Sequence, residues 1–435
     1  VDDQTLFAIA STTKAMTAAA IGMLVDEGKL AWDDQVTDHL PSFQLHDPYV
    51  TREITVRDLL THRAGLGNAD YLWYVADLPA DSMMDKLRLI RPEYSLRSSF
   101  IYQNVMYIAA GEVVRAVSGM PWDEFVRKRI FQPLGMASTY PRAALVPPGS
   151  NAATPHFLYS GDTIGVVVRD DLRAIGPAGD VWSNIDDMSR WMMFLLDSGR
   201  AGGKALLKPG TWAELFTPQV VVPPDEFYPS QEFTKPHWRT YGLGWFQHDY
   251  LGRQLDFHTG SLAGMVAIAG LVRDDRFGVY VFGNVDHSEI RHALMYRAID
   301  TWLAAPGRDW STDLRGVYER RRLRGDSSRA AAESRRVRGT KPSLELSKYA
   351  GTYEEPVAGR VHVRFVDGKL RFEAGKLLQG PLEHYHYDRF RARYDDRWQG
   401  TDIIAFSIGA GVPAGLEFAG FRFRRVPDAQ APASR

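Results

Sequence analysis

"FAIASTTKAMTAAAIGMLVDEGKL", residues Phe7 to Leu30, sets a serine and a lysine three residues apart at the head of an alanine-rich run. Ala15, Ala18, Ala19, Ile21, Met23 and Leu24 predict a helix from Ser11 to about Glu27, buried on most sides and stopped by Gly28. A lysine at the start of such a helix must hold its charge among apolar neighbours, in a chain with only 11 lysines. Serine is a weak nucleophile until something takes its proton, and a lysine can do so when desolvation destabilises its ammonium form. The i, i+3 spacing places Ser11 and Lys14 on one helical face. The positive end of the helix dipole there favours the neutral amine and any negative charge that develops on a substrate. A capped helix with an exposed lysine would explain the tetrapeptide equally well, so Ser-x-x-Lys, which occurs once, needs company.

Two later clusters supply it. Tyr102-Gln103-Asn104 sits in a loop ahead of a helix starting near Asn104, where a phenol can relay a proton and an amide can hold both a lysine and a substrate carbonyl. Asn104 could equally serve as a helix cap. His258-Thr259-Gly260-Ser261 ends one β-type run and leads to the next. Gly260 permits close backbone approach, and the Ser261 N–H can face an oxyanion. A turn-forming tripeptide is the plainer explanation of that cluster taken alone. In this order and at these separations the three reinforce one another.

Around them the chain reads as two domains. "ITVRDLLTH", "VMYIAAGEVVRAVSG" and "NIDDMSRWMMFLLDSG" have helical spacing with stops at Gly65, Gly119 and Gly199, the last beginning at an Asn184 cap. From Tyr241 to Asn284 the pattern turns to consecutive antiparallel strands, followed by the helix "EIRHALMYRAIDTWLA". Residues 306–343 are dense in arginine and read as a linker, a solvated helical connector rather than a docking site for an acidic partner. Residues 344–428 hold short strands with an Asp367-Gly368 turn, which predicts a small antiparallel barrel.

The 435 residues carry 52 basic and 53 acidic side chains and no cysteine, which excludes disulfides, thiolate metal sites and a cysteine nucleophile, and leaves no field to draw nucleic acid. Apolar runs such as "MTAAAIGMLV" fall short of a membrane span, and the first residues lack the pattern of a signal peptide. His62 in "LLTHRAGLG" reads as a structural hydrogen-bonding residue. "EHYHYDRF" lacks metal-ligand spacing, and no Gly-x-Ser-x-Gly elbow is present.

With "STTK", "YQN" and "HTG" in place, and with "LLTHRAGLG", "PAGDVWSNIDDMSRW", "YGLGW" and "HTGSLAGMVAIAGLVRDDRFGVYVFGN" beside them, the chain resembles the penicillin-recognising serine hydrolases over nearly all of residues 5–304. The likeness is to the class C β-lactamase-like branch that includes D-peptidases and esterases. It implies an α/β fold of the α+β kind: an antiparallel sheet flanked by helices with an all-helical subdomain over residues 1–305, followed by the all-β barrel. It also implies Ser11 as acylated nucleophile, Lys14 as its base, Tyr102 as proton relay and Asn104 as positioning amide. His258 and Thr259 would line the substrate side, Gly260 would allow close approach, and the N–H groups of Ser11 and Ser261 would form the oxyanion hole. No metal or cofactor is implied.

The expected substrate is a small molecule or peptide with an ester or amide bond, as for a carboxylesterase or D-stereospecific peptidase. β-Lactamase or D-Ala-D-Ala carboxypeptidase activity is the alternative within enzymes, and an acyl-sensing, penicillin-binding protein with little turnover the alternative outside them. A homo-oligomer is allowed, and the resemblance favours a periplasmic or secreted location. Two departures stand out. Ser11 lies almost at the chain start, so the sheet is expected to lack the strands that precede the nucleophile in the family. His258 replaces the lysine usual in true β-lactamases, and an imidazole with a pKa near 6.5 is mostly neutral at pH 7, which disfavours efficient β-lactam hydrolysis.

Overall fold

Alanine and unbranched side chains lose little on entering a helix. The stretch after Ser11 accordingly coils into α1, Thr13–Asp26, in which every residue from Thr13 to Leu24 is buried. Gly28, at φ +68°, lets the chain leave in the left-handed region. In this computed structural model, which describes residues 1–76, 78–159, 163–168, 175–262, 264–286 and 289–427, the nucleophile candidate precedes the helix rather than opening it. Ala10–Thr12 form a separate 3₁₀ turn carrying Ser11.

"ITVRDLLTH" also differs from expectation, giving a single helical turn, α2, Val56–Leu59. Asp58 is the reason. Its buried carboxylate accepts the Thr55 N–H at 3.0 Å and the guanidiniums of Arg63 and Arg97 at 2.7 Å each, which fixes the chain as a loop that leaves through His62 at φ +58°. The helices α3, Asn104–Ser118, and α4, Ile185–Leu196, follow their sequence signals, with Asn184 Oδ1 accepting the Asp187 N–H at 2.8 Å.

Six strands then build one antiparallel sheet: β1, Val220–Val221; β2, Arg239–Tyr241; β3, Phe246–Tyr250; β4, Arg253–Leu262; β5, Met265–Val272; and β6, Phe277–Gly283. Their spatial order is β6-β5-β4-β3-β2-β1. All eight residues of β5 are buried, as a central strand covered on both faces requires. The helices α4 and α5, Ile290–Trp302, pack on the β6 side, and the Ala10–Thr12 turn packs on β4 and β5. The chain divides into two compact units, Val1–Ala69 with Pro79–Arg320, and Asp70–Leu78 with Arg321–Arg435. The sheet belongs to the first.

Where the sequence reads as an arginine-rich linker, the structure holds a 25-residue helix, α6, Trp310–Ser334. Its first turns bury Trp310, Leu314 and Val317, and its later turns are solvated, with Asp326 paired to Arg322 and Arg329. The second unit contains the closed eight-stranded barrel formed by β7, Gly351–Glu355; β8, Gly359–Val366; β9, Lys369–Ala374; β10, Leu378–His386; β11, Arg389–Arg393; β12, Thr401–Gly409; β13, Val412–Phe418; and β14, Phe421–Val426. In β9, Leu370, Phe372 and Ala374 point inward and alternate with Lys369, Arg371 and Glu373, the period-2 pattern of a side-chain-filled barrel. Asp367 and Gly368, both at positive φ, make the two-residue turn between β8 and β9. Residue 428, where the sequence places the barrel's end, lies outside the described residues. Among the described residues, no helix is long and apolar enough to cross a membrane.

Candidate active site

Ser11 is presented on a strained turn. Ala10, immediately before it, is buried at φ +47°, a conformation costing a non-glycine residue on the order of 1 to 2 kcal/mol. Surrounding packing holds it there. Gly260 of β4 approaches so closely that a Cβ would stand 2.3 Å from the Ile9 carbonyl oxygen, 2.9 Å from the Ala10 Cβ and 3.1 Å from the Ser11 nitrogen. Only glycine fits at that point of contact between sheet and turn.

One turn into the helix, Lys14 is wholly buried. Its Nζ donates to Asn104 Oδ1 at 2.7 Å and to the Ala178 carbonyl at 2.8 Å, and lies 3.2 Å from Ser11 Oγ. Asn104 comes from the start of α3. Ala178 comes from the helical turn Gly176–Gly179, which is tied to α1 where the Thr17 hydroxyl donates to the Pro177 carbonyl at 2.6 Å. A neutral amine has two N–H groups and one lone pair; with the hydrogens on the two carbonyl oxygens, the lone pair is left for the Ser11 hydroxyl.

Tyr102 lies beside this pair, its ring centroid 4.8 Å from Lys14 Nζ and 4.4 Å from the His62 ring. His62 is buried, and its Nδ1 accepts the Gln103 N–H at 3.0 Å, which puts the proton of the neutral ring on Nε2. Burial first, and the nearby Lys14 second, hold the His62 pKa well below 6.5. Through that bond His62 fixes the loop from which Tyr102 and Asn104 project.

His258 is turned inward. It is 1% exposed; Nδ1 donates to its neighbour Thr259's carbonyl at 2.6 Å, and Nε2 accepts from the Tyr241 hydroxyl at 3.0 Å. Burial, with Lys14 adding to it, lowers its pKa to about 3, so the ring is neutral at pH 7. Thr259 is also buried, its hydroxyl 2.5 Å from that of Tyr228, whereas Ser261 is exposed. The structure thus gathers Ser11, Lys14, Tyr102, Asn104 and Gly260 at one point, and brings Thr259 and Ser261 to the same strand edge. It leaves His258 as a neutral support with both nitrogens in use. Sequence reasoning missed Ala10, Ala178 and Tyr241. The first acts through its dihedral angle and the second through its carbonyl, neither of which depends on a recognisable side chain; the third reaches His258 across two strands.

In the barrel, His384 Nε2 meets the Tyr387 carbonyl at 2.9 Å and His386 Nδ1 accepts the Val337 N–H at 3.1 Å, so both are used by the strand and its neighbours. Among the described residues no group of three or more metal-ligating side chains is gathered.

Residues 1–301 match the family described as Beta-lactamase, and residues 335–427 match a domain of unknown function, DUF3471. A relative named unguisins hydrolase ungD', from Aspergillus campestris (strain IBT 28561), is 27% identical over 381 residues, covering 82% of this chain and 68% of its own. Penicillin-binding protein 4 of Amycolatopsis lactamdurans is 30% identical over 285 residues, 62% of this chain and 70% of its own. The octameric penicillin-binding protein homologue from Pyrococcus abyssi superposes with a TM-score of 0.61 at 21% identity, covering 97% of this chain and 88% of the other, a likeness of fold.

Proposed function

Since the chain belongs to the beta-lactamase family, we propose that it is a serine hydrolase that cleaves an ester or amide bond through an acyl enzyme on Ser11. The observation that carries this reading is the wholly buried amine of Lys14, 3.2 Å from Ser11 Oγ and donating to the Asn104 Oδ1 and Ala178 carbonyl oxygens. Lys14 takes the hydroxyl proton as Ser11 Oγ bonds to the carbonyl carbon, and the N–H groups of Ser11 and Ser261 hold the oxyanion. Collapse of the tetrahedral intermediate expels the leaving group, which receives the proton from Lys14 by way of Tyr102. Water, deprotonated by the same pair, then releases the acid and restores Ser11.

A carboxylesterase or D-stereospecific peptidase fits better than an efficient β-lactamase, because His258 is neutral and enclosed and offers no fixed charge to a β-lactam carboxylate. Relatives named as a hydrolase and as a penicillin-binding protein agree with acyl transfer. A periplasmic or secreted location and a homo-oligomeric state, as in the octameric structural neighbour, complete the proposal.

Mass spectrometry after incubation with a fluorophosphonate tests it. The expected result is one adduct on Ser11, lost in Ser11→Ala together with hydrolysis of short nitrophenyl esters; an adduct elsewhere, or an active Ser11→Ala, overturns it. A panel of nitrophenyl esters, D-Ala peptides and a chromogenic cephalosporin then ranks the substrates. Strong turnover of the cephalosporin alone would reverse the ranking.

A further inference from the structure

Arg291, near the start of α5, is 4% exposed, an unusual position for a guanidinium. Its Nη1 donates to the Gly260 carbonyl, to Ser261 Oγ at 2.9 Å and to the Ala267 carbonyl at 3.4 Å, and its Nη2 lies 3.4 Å from Glu289 Oε1. Glu289 Oε2 in turn meets His292 Nδ1 at 2.9 Å. Three of these contacts converge on the end of β4 and its pairing with β5, which is where the cation acts.

The strand register gives that contact a direction. Leu251 and Gly252, at φ +50° and +73°, form a two-residue turn that makes Tyr250 and Arg253 a hydrogen-bonded pair, so alternate residues Arg253, Leu255 and Phe257 direct their peptide groups at β3. Continuing the alternation, Thr259 and Ser261 direct theirs to the same side, but β3 starts at Phe246, the partner of Phe257, and does not reach them. Gly260 faces β5, paired with Ala267. The Gly260 carbonyl and the Ser261 N–H belong to one planar trans peptide and point in opposite directions. A guanidinium fixed on the carbonyl therefore aims the N–H away from β5, along the edge where Gly260 abuts the Ser11 nitrogen.

We propose that Arg291 is a positioning residue for acyl transfer: it clamps the Gly260–Ser261 peptide so that the Ser261 N–H stands ready as an oxyanion donor. The clamp does two things. It removes the rotational freedom of the donor before substrate arrives, and it withdraws electron density from the carbonyl, which makes the N–H of the same amide a stronger donor. A carbonyl oxygen has two lone pairs, so Gly260 can accept from Arg291 and keep its ladder bond to β5. The inference rests on the acyl-serine reading above.

The test compares a nitrophenyl ester with its thiono counterpart, whose C=S carbon is attacked in the same way but whose sulfur fits poorly against oxyanion donors. Arg291→Lys and Arg291→Gln are measured beside wild type, each with a melting curve and fluorophosphonate labelling of Ser11. Removing one oxyanion donor outright costs ~10² to 10³ in rate; misaiming it should cost between about ten- and a hundredfold in kcat/KM for the oxygen ester, more in Gln than in Lys. The thiono ester should lose less, so the oxygen-to-sulfur preference falls in the variants while Ser11 is still labelled. An unchanged preference in folded variants overturns the proposal, as does failure of both variants to fold, which would give the guanidinium a purely structural part. Absence of Ser11 labelling in wild type instead removes the acyl-serine reading itself.

Discussion

The interiors of the two units are filled in opposite ways. Around β4 the first unit buries Lys14, His62, His258 and Arg291, each held by carbonyls, amides or hydroxyls. The barrel closes over Tyr349, Tyr353, Phe372, Phe390 and Phe406, an aromatic and aliphatic core of the kind that stabilises through area and packing. Burying a basic group is costly unless its partners are in place, so the first unit must supply such partners around β4, a demand the apolar barrel interior does not face. The basic side chains gathered around β4 are enclosed by protein groups. A groove of about 470 Å³ beside Ile290, Leu294 and Arg297, and one of about 570 Å³ beside Arg190, Arg200 and Arg276, contain none of these residues.

The contrast can be broken most severely at Gly260. Alanine there forces a Cβ against the Ile9 carbonyl and the Ala10 Cβ, so the sheet edge must part from the nucleophile turn. Gly260→Ala is expected to lower kcat/KM for a nitrophenyl ester by ~10²-fold or more, the scale of losing an oxyanion donor. Wild-type rates in that variant would mean that β4 and the Ser11 turn do not meet as described.

On the barrel side the expected loss is of stability. Phe372→Ala empties a wholly buried ring position and should cost about 3 to 5 kcal/mol in the barrel's denaturant transition. A cost below about 1 kcal/mol would show a core that is not close-packed.

The smallest effect separates the units by pH. Burial holds His258 at about 3 and His248 at about 4, and keeps His62 well below 6.5, so these rings stay neutral in the folded first unit while their unfolded counterparts take up protons below about pH 6.5. Stability of that unit should fall steadily as pH drops from about 6.5 toward 4. Asp58 adds to this at lower pH. Burial raises its pKa, but Arg97, the Thr55 N–H and Arg63 outweigh burial and hold it below the usual carboxylate range, so its contribution is present above about pH 4 and is lost as pH falls through its folded value. Thermal melts between pH 7.5 and 4.5 should show the first unit's transition moving down by several degrees; a transition that does not move would contradict the neutral buried rings.

Much of this was legible in residue types. Helix α1, the strand runs from β3 to β6, the Asn184 cap and the Asp367-Gly368 turn follow from periodicity, capping and turn chemistry, which act over a few residues. Ser11 and Lys14 could be put forward as candidate nucleophile and base, and Gly260 as a point of close backbone approach, from residue type alone; that Gly260 meets the Ser11 turn came only from the fold. The shortened α2 could not be foreseen, since Asp58 is held by Arg97, which lies 39 residues further along the chain.

What the sequence by itself determined is which atoms are candidates to react: one hydroxyl and one amine three residues apart. Only the folded chain decided what surrounds them. The Ala178 carbonyl that binds the amine is 164 residues away, the Ala10 dihedral depends on close packing against Gly260, and the inward His258 and Arg291 owe their state to burial. Those are properties of peptide groups and of solvent exclusion, which residue identity does not encode and which come into being only when distant segments pack together.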